Sequence, residues 1–279
     1  MQFVKMHSQG NDYIYLDYNA VKNYDLSTLA KKLSRRRFSI GSDGLIAVEK
    51  INGKTIKMYM YNADGSLGLT CGNGVRCSAL FAKNYLGVNS DDITVITKSN
   101  VAFVKLFYSR GRVFAQSNMG KPIEEKIDNF NESLKKVGLY SDNQRIFPVN
   151  VGNRHLVCFT PEINLDSIVT KIHSTDLYPD GVNVERVYSF EKLSQTEYIL
   201  KAEIFERGSG KTLSCGSGTV AIAYAFLKMQ RLPFDDITIN VVTEGGILQA
   251  FFDGGNCFLS GEITEVYCGF IGDIGENQV

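Results

Sequence analysis

Neither sign of charge is in excess: 30 Lys and Arg stand against 30 Asp and Glu, for a formal net charge of zero. No global field therefore favours DNA, RNA or an acidic membrane surface, and a small molecule is the fitting partner. The one compact basic run, Arg35-Arg36-Arg37 behind Lys31-Lys32, reads as a solvated helix end. Long hydrophobic runs are missing too. Nothing approaches the roughly 18 apolar residues of a membrane span. The opening MQFVKMHSQGNDYIYLD lacks the apolar core and cleavage site of a secretory signal. A cytoplasmic location without membrane contact is expected. The three histidines (His7, His155, His173) are scattered, and no Cys-x-x-Cys or His-x-x-x-His pair exists, so no metal site is expected. Six cysteines in 279 residues are few for a disulfide-stapled scaffold, which points to reduced thiols. No Pro-rich or low-complexity linker divides the chain.

What is present is a repeat. YNADGSLGLTCGNGVRCSALF, from Tyr61 to Phe81, has a rough copy in ERGSGKTLSCGSGTVAIAYAF, from Glu206 to Phe226. Their cysteines, Cys71 and Cys215, lie 215 − 71 = 144 residues apart, and the same offset carries DDIT at Asp91 onto DDIT at Asp235. It also carries Gly111 and Phe114 onto Gly255 and Phe258; upstream, Gly10-Asn11 resembles Gly152-Asn153. Two halves on one plan are expected. β-Branched and aromatic runs at 1–4, 13–16, 44–48, 56–61, 93–97, 101–108 and 113–117 read as strands between Gly, Asn and Asp turns. NGVRCSALFAKNYLG reads as a helix ending near Gly87, and GTVAIAYAFLKMQ as one that is apolar nearly all round, as a helix enclosed by sheet should be. Shorter helices are expected at 25–36 and 164–173.

A cysteine at a helix N-terminus feels the positive end of the macrodipole and ionises more readily than a free thiol. The Gly-x-Gly behind it leaves backbone amides free to close on an anion. Either cysteine alone could be a small buried hydrophobe capping a core helix. Two in matched, glycine-rich contexts suggest paired chemistry, with one thiolate removing a proton from a carbon acid while the other thiol protonates the opposite face. Cys77, inside the first helix, points to another face, and Cys158, Cys257 and Cys268 sit in strand-like surroundings.

FVKMHSQGNDYIYLD, NADGSLGLTCGNGVRC, GNRHLV, GVNVE and ERGSGKTLSCGSGTVA together resemble the diaminopimelate epimerase family of cofactor-independent, two-cysteine amino-acid epimerases and racemases. The resemblance implies an isomerase of lysine biosynthesis that interconverts LL- and meso-diaminopimelate without pyridoxal or any other cofactor. It implies Cys71 and Cys215 as the catalytic pair. Gly72, Asn73, Gly216 and Ser217 would bind the reacting carboxylate, and Asn11, Asn62, Asn183 and Arg207 the distal end of the substrate. Glu206 and His155 would lie near the reacting ammonium. The implied fold is α+β. It has two pseudo-symmetric halves from an internal duplication, each a mixed, mostly antiparallel sheet wrapped around a central helix, with the active site in the cleft between them. Residues 1–116 with 264–279 would carry Cys71, and residues 117–263 Cys215. An amino acid is the implied partner, and homodimerisation stays open. The chain departs from the family pattern at Leu67 to Thr70 and at Arg154, positions that bear on substrate fit. Two alternatives therefore stand beside this reading: a racemase of another amino acid using the same two thiols, and a ligand-binding or redox-sensing protein.

Overall fold

The computed structural model describes residues 1–68, 71–140 and 145–272, so Leu69 and Thr70 lie outside the described residues. The chain divides into two compact units, Met1–Ser117 with Gly261–Val279, and Asn118–Ser260. The first carries β1 (Gln2–Ser8), β2 (Asn11–Asp17), α1 (Tyr18–Val21), α2 (Leu26–Leu33), β3 (Gly44–Lys50), β4 (Thr55–Asn62), α3 (Gly72–Tyr85), β5 (Asp92–Ile96), β6 (Val101–Ser109) and β7 (Arg112–Asn118). The second carries β8 (Ile123–Glu124), α4 (Phe130–Lys136), β9 (Arg145–Asn150), β10 (Arg154–Phe159), α5 (Leu165–His173), β11 (Asn183–Lys192), β12 (Glu197–Glu206), β13 (Gly210–Thr212), α6 (Gly216–Gln230), β14 (Thr238–Thr243) and β15 (Gly246–Asp253). The last strand, β16 (Asn256–Phe270), begins in the second unit and finishes in the first.

In the first unit the strand order is β1-β2-β3-β4-β5-β6-β7-β16, and β16 pairs back onto β1, from Gln2 opposite Phe270 to His7 opposite Thr264. The sheet is thus a closed eight-stranded barrel. The expectation is a sheet wrapped around a central helix; the structure closes that sheet, because β16 takes the far edge of β1, and among the described residues closure leaves no open edge in this ring. Pairs β2–β3 and β4–β5 are parallel. Pairs β1–β2, β3–β4, β5–β6 and β6–β7 are antiparallel. Strand β4 shows why the chain folds this way locally, with Ile56, Met58 and Met60 buried on alternate residues. Helix α3 is buried from Asn73 to Ala82. Its apolar side chains share one cluster with side chains of every strand in the ring, among them Met6, Tyr15, Val48, Met58, Val95, Leu106, Ala115 and Ile263. The helix stops at Tyr85, two residues before Gly87, whose φ of 65° is left-handed and suits glycine. On the other face of β2 and β3, Leu29, Ala30 and Leu33 of α2 pack on Ile14, Leu16, Leu45 and Ala47, so this parallel pair is covered on both sides.

The second unit orders its strands β8-β9-β10-β11-β12-β14-β15-β16, with β13 beside β12. Its connections follow the first unit step for step. A hairpin (β9–β10) is followed by a helical crossover through α5 to the parallel strand β11, and then by the antiparallel strand β12. A second crossover, through the helix headed by Cys215, leads to the parallel strand β14 and its hairpin partner β15. The first unit runs the same course through α2 and α3. Helix α6 is buried from Gly218 to Leu227 except Tyr224, and packs with Val157, Leu200, Ile239, Leu248 and Leu259. Neither α1 nor α4, both two turns or shorter, was signalled by composition. Among the described residues no helix is long and apolar enough to cross a membrane.

Candidate active site

Cys71 is the N-cap of α3, with extended backbone (φ −145°, ψ 116°), and its Sγ accepts from the Gly74 amide at 3.5 Å. The amides of Gly72 and Asn73 are the first of the helix and have no intrahelical acceptor by position. The thiol donates to Asn11 Oδ1 at 3.3 Å, and Asn73 Nδ2 reaches the same oxygen at 3.4 Å. Asn11 in turn donates to Asp43 at 2.9 Å. Arg76, one turn into the helix and fully buried, donates to Asn73 Oδ1 at 2.6 Å and to Ser8 Oγ at 3.2 Å. Burial pushes the Cys71 thiol up; the Gly74 amide, the Tyr13 phenol, the Asn73 amide and the Arg76 charge pull it back. Asn62 ends β4 opposite Gly44 and donates to Ser66 Oγ at 2.8 Å. Leu67 is 42% exposed and forms an isolated bridge with Tyr61.

Cys215 caps α6 in the same way (φ −134°, ψ 124°), with Sγ 3.4 Å from the Gly218 amide and 3.4 Å from Ser217 Oγ. Ser217 accepts from Asn153 Nδ2 at 3.4 Å, and Asn153 Oδ1 lies 3.0 Å from His155 Nε2. The other His155 nitrogen meets Glu185 Oε1 at 2.6 Å, with both side chains fully buried. His155 therefore reaches the thiol through Asn153 and Ser217. Glu185 also lies under the helix start: a methyl on Gly218 would stand 2.7 Å from Glu185 Oε1 and 3.3 Å from Cys215 Cβ. Burial pushes the Cys215 thiol well up, and Glu206 and Glu185 push it in the same direction. Glu206 accepts from Thr212 Oγ1 at 2.7 Å. Asn183 joins two chain segments, donating to the Arg154 carbonyl at 2.8 Å and accepting from the Arg207 amide at 3.0 Å. The exposed Arg207 side chain lies along Gly181 and donates to the Asp180 carbonyl at 3.4 Å. Arg154 turns its guanidinium to Glu125, 2.8 Å away.

Both thiols thus cap a helix start and receive its third amide. Desolvation opposes the macrodipole and pushes both thiols up, but the charges beside them differ: Arg76 pulls Cys71 back, whereas Glu206 and Glu185 push Cys215 further. Asn11 and Asn73 join Cys71 in one network, and Ser217 and His155 join Cys215 in the other. Asn62, Asn183, Glu206 and Arg207 are held by other partners. The sequence reading missed Tyr13, Arg76, Asn153 and Glu185, although each lies inside or beside a motif it used: HSQGNDY, CGNGVRC, GNRH and GVNVE.

Known proteins carry the same plan. The sequence model of the family described as diaminopimelate epimerase matches residues 3–124 and 147–256. A diaminopimelate epimerase of Caldanaerobacter subterraneus subsp. tengcongensis is 36% identical over 97% of this chain and 99% of its own. The chain belongs to the diaminopimelate epimerase family. Another member, from Halothermothrix orenii, is 32% identical over 97% of this chain and 98% of its own. Membership makes the protein an isomerase of the amino-acid epimerase and racemase class. Two solved structures share the fold at low identity. A Bacillus anthracis phenazine biosynthesis protein of the PhzF family superposes with a TM-score of 0.71 at 14% identity, covering 96% of this chain and 98% of its own. A hydroxyproline epimerase of Agrobacterium vitis does so with 0.60 at 11%, covering 96% and 90%.

Proposed function

We propose that the protein interconverts LL- and meso-diaminopimelate with Cys71 and Cys215 as the two proton carriers, as a step of lysine biosynthesis. The observation that carries this reading is the matched pair of cysteine-capped helix starts, each with Sγ in reach of the third helical amide. In one direction a thiolate takes the α-proton and becomes a thiol. The carbanion, steadied through its carboxylate by the amides of Gly72, Asn73, Gly216 and Ser217, takes a proton on its other face from the second thiol, which is left as thiolate. Asn11, Asn62, Asn183 and Arg207 hold the distal amino-acid end, with Arg207 opposite its carboxylate. Glu206 and His155 serve the reacting ammonium. Arg154 is paired with Glu125. The shared course of connections supports descent of both units from one ancestral half, each with its sheet around the Cys-headed helix.

The test is incubation of reduced protein in D₂O with LL- and meso-diaminopimelate beside a panel of single amino acids, following α-deuterium and configuration. Exchange with inversion on diaminopimelate is expected, and its loss by at least ~10³-fold in Cys71→Ser and in Cys215→Ser. Full turnover in either variant would end the two-thiol reading, and inversion of a different amino acid alone would reassign the substrate.

A further inference from the structure

The two cysteine environments are equivalent in backbone but opposite in charge. Strand register aligns them: Tyr13 pairs with Gly44 across β2 and β3 as His155 pairs with Asn183 across β10 and β11. Two residues on, Ile46 occupies the space a side chain at Gly74 would need, and Glu185 the space one at Gly218 would need. Five residues after each cysteine stand Arg76 in α3 and Val220 in α6. Among the described residues, the first unit alone buries a guanidinium beside its thiol, Arg76, and the second alone a carboxyl, Glu185, which burial pushes up and His155 pulls back.

The Arg76 charge has no carboxylate partner among the described residues. Its hydrogen bonds go to Asn73 and Ser8, and its Nε and Nη1 have no acceptor. The ionisable groups that bear on it are Cys77, Cys71 and Tyr15, none of them anionic at neutral pH unless Cys71 is. Burial disfavours the charge, yet a guanidinium does not deprotonate in proteins. A buried cation without a counter-ion is costly, and it favours any neighbouring group that can become an anion. Tyr13 supplies a phenol and the helix start its amides to the same sulfur. Around Cys215 the facing ionisable groups are Glu206 on β12, Glu185 on β11 and His155 on β10; Tyr198 and Cys257 lie in the core along the helix. His155 Nδ1 is engaged by Glu185 at 2.6 Å, so the pair presents no unpartnered cation to the thiol.

Resting on the two-thiol reading, we propose that Arg76 and Glu185 are the positioning residues that break the symmetry of the pair, making Cys71 the thiolate and Cys215 the thiol in the free enzyme. Arg76 also orients the amides between itself and the sulfur. As a donor-only group it claims Asn73 Oδ1, which turns Asn73 Nδ2 toward Asn11.

The test is the pH dependence of alkylation at each cysteine in the reduced, substrate-free protein, read by peptide mapping after brief iodoacetamide pulses. Comparing apparent pKa values rather than rates removes the difference in exposure between the two sites. Cys71 is expected to titrate at least about one unit below Cys215. Arg76→Met should raise the Cys71 value enough to slow its alkylation at pH 7 about tenfold and leave Cys215 unmoved, and Arg76→Lys should restore most of the shift. Glu185→Gln should lower the Cys215 value alone, a readout that survives if Arg76→Met does not fold. A Cys215 value at or below that of Cys71 in the wild type, or a Cys71 value unmoved in folded Arg76→Met, would overturn the proposal. Because no substrate is used, the result stands apart from the fate of the Cys→Ser variants in the exchange assay.

Discussion

Gly74 and Gly218 stand three residues after the two cysteines, and their amides face the sulfurs at 3.5 and 3.4 Å. The two glycines differ in what lies beneath them. A methyl on Gly74 meets Ile46 Cδ1 at 2.8 Å, the loose end of an apolar side chain. On Gly218 it meets a carboxylate oxygen at 2.7 Å, and that carboxylate is locked onto His155. Gly218→Ala should therefore cost about 1–3 kcal/mol and reduce turnover more than tenfold, with a smaller loss for Gly74→Ala. Urea denaturation beside the exchange assay checks both, and equal effects would show that the His155–Glu185 pair is free to move. The chemistry at this scale was half legible. Cys71, Cys215 and their glycines stood out because a helix start has a local signature. Arg76 and Glu185 did not, since a charged residue within a helix or strand reads as a solvated one until its neighbours are known.

Among the elements, the turn from β1 to β2 is tied down by charge. Asp12 meets Lys5 at 2.6 Å and Arg36 at 2.7 Å, so the basic run that read as a solvated helix end has one member at work beside the Asn11–Asp43 contact. Burial alone would raise the Asp12 carboxyl, but Arg36 and Lys5 together hold it below its ordinary value. A carboxyl depressed by folding stabilises at pH above its unfolded value, near 3.9, and that contribution fades as pH falls through the folded value. Asp12→Asn should lower stability on the order of 2 kcal/mol at pH 7, and the gap between the two proteins should narrow progressively as the solution is acidified below about pH 4. Thermal melts across that range measure it, and a constant gap would assign the effect to packing. The element boundaries were legible where a period was clean. The runs at 13–16, 44–48 and 56–61 each fall inside a strand, and 164–173 brackets α5. Helix α1 was hidden because one turn capped by Asp17 has too few residues to show a period.

For the molecule as a whole, β16 is where the two units share a strand. Leu259 belongs to the core around α6, and Ile263, four residues on, to the core around α3. Truncating either should cost about 2–5 kcal/mol, but in different places. Leu259→Ala is expected to speed hydrogen exchange in β9–β15 and Ile263→Ala in β1–β7. Uniform loss of protection from either change would mean the units unfold as one. The 144-residue repeat was legible as matched motifs. The barrel was not, because the pairing of Gln2 with Phe270 joins residues that share no local pattern.

That pairing also sets an order of assembly. Every stave of the second unit through β15 leaves the ribosome before the stretch of β16 that seals the first unit. The seven strands made first must therefore wait, with β1 and β7 open to solvent, while the 118–260 segment is synthesised and can already condense around α6. The earliest-made part of the chain is the last to be complete. Until Ile263 and the residues after it emerge, the nascent protein exposes two sheet edges of the kind that other chains can pair with.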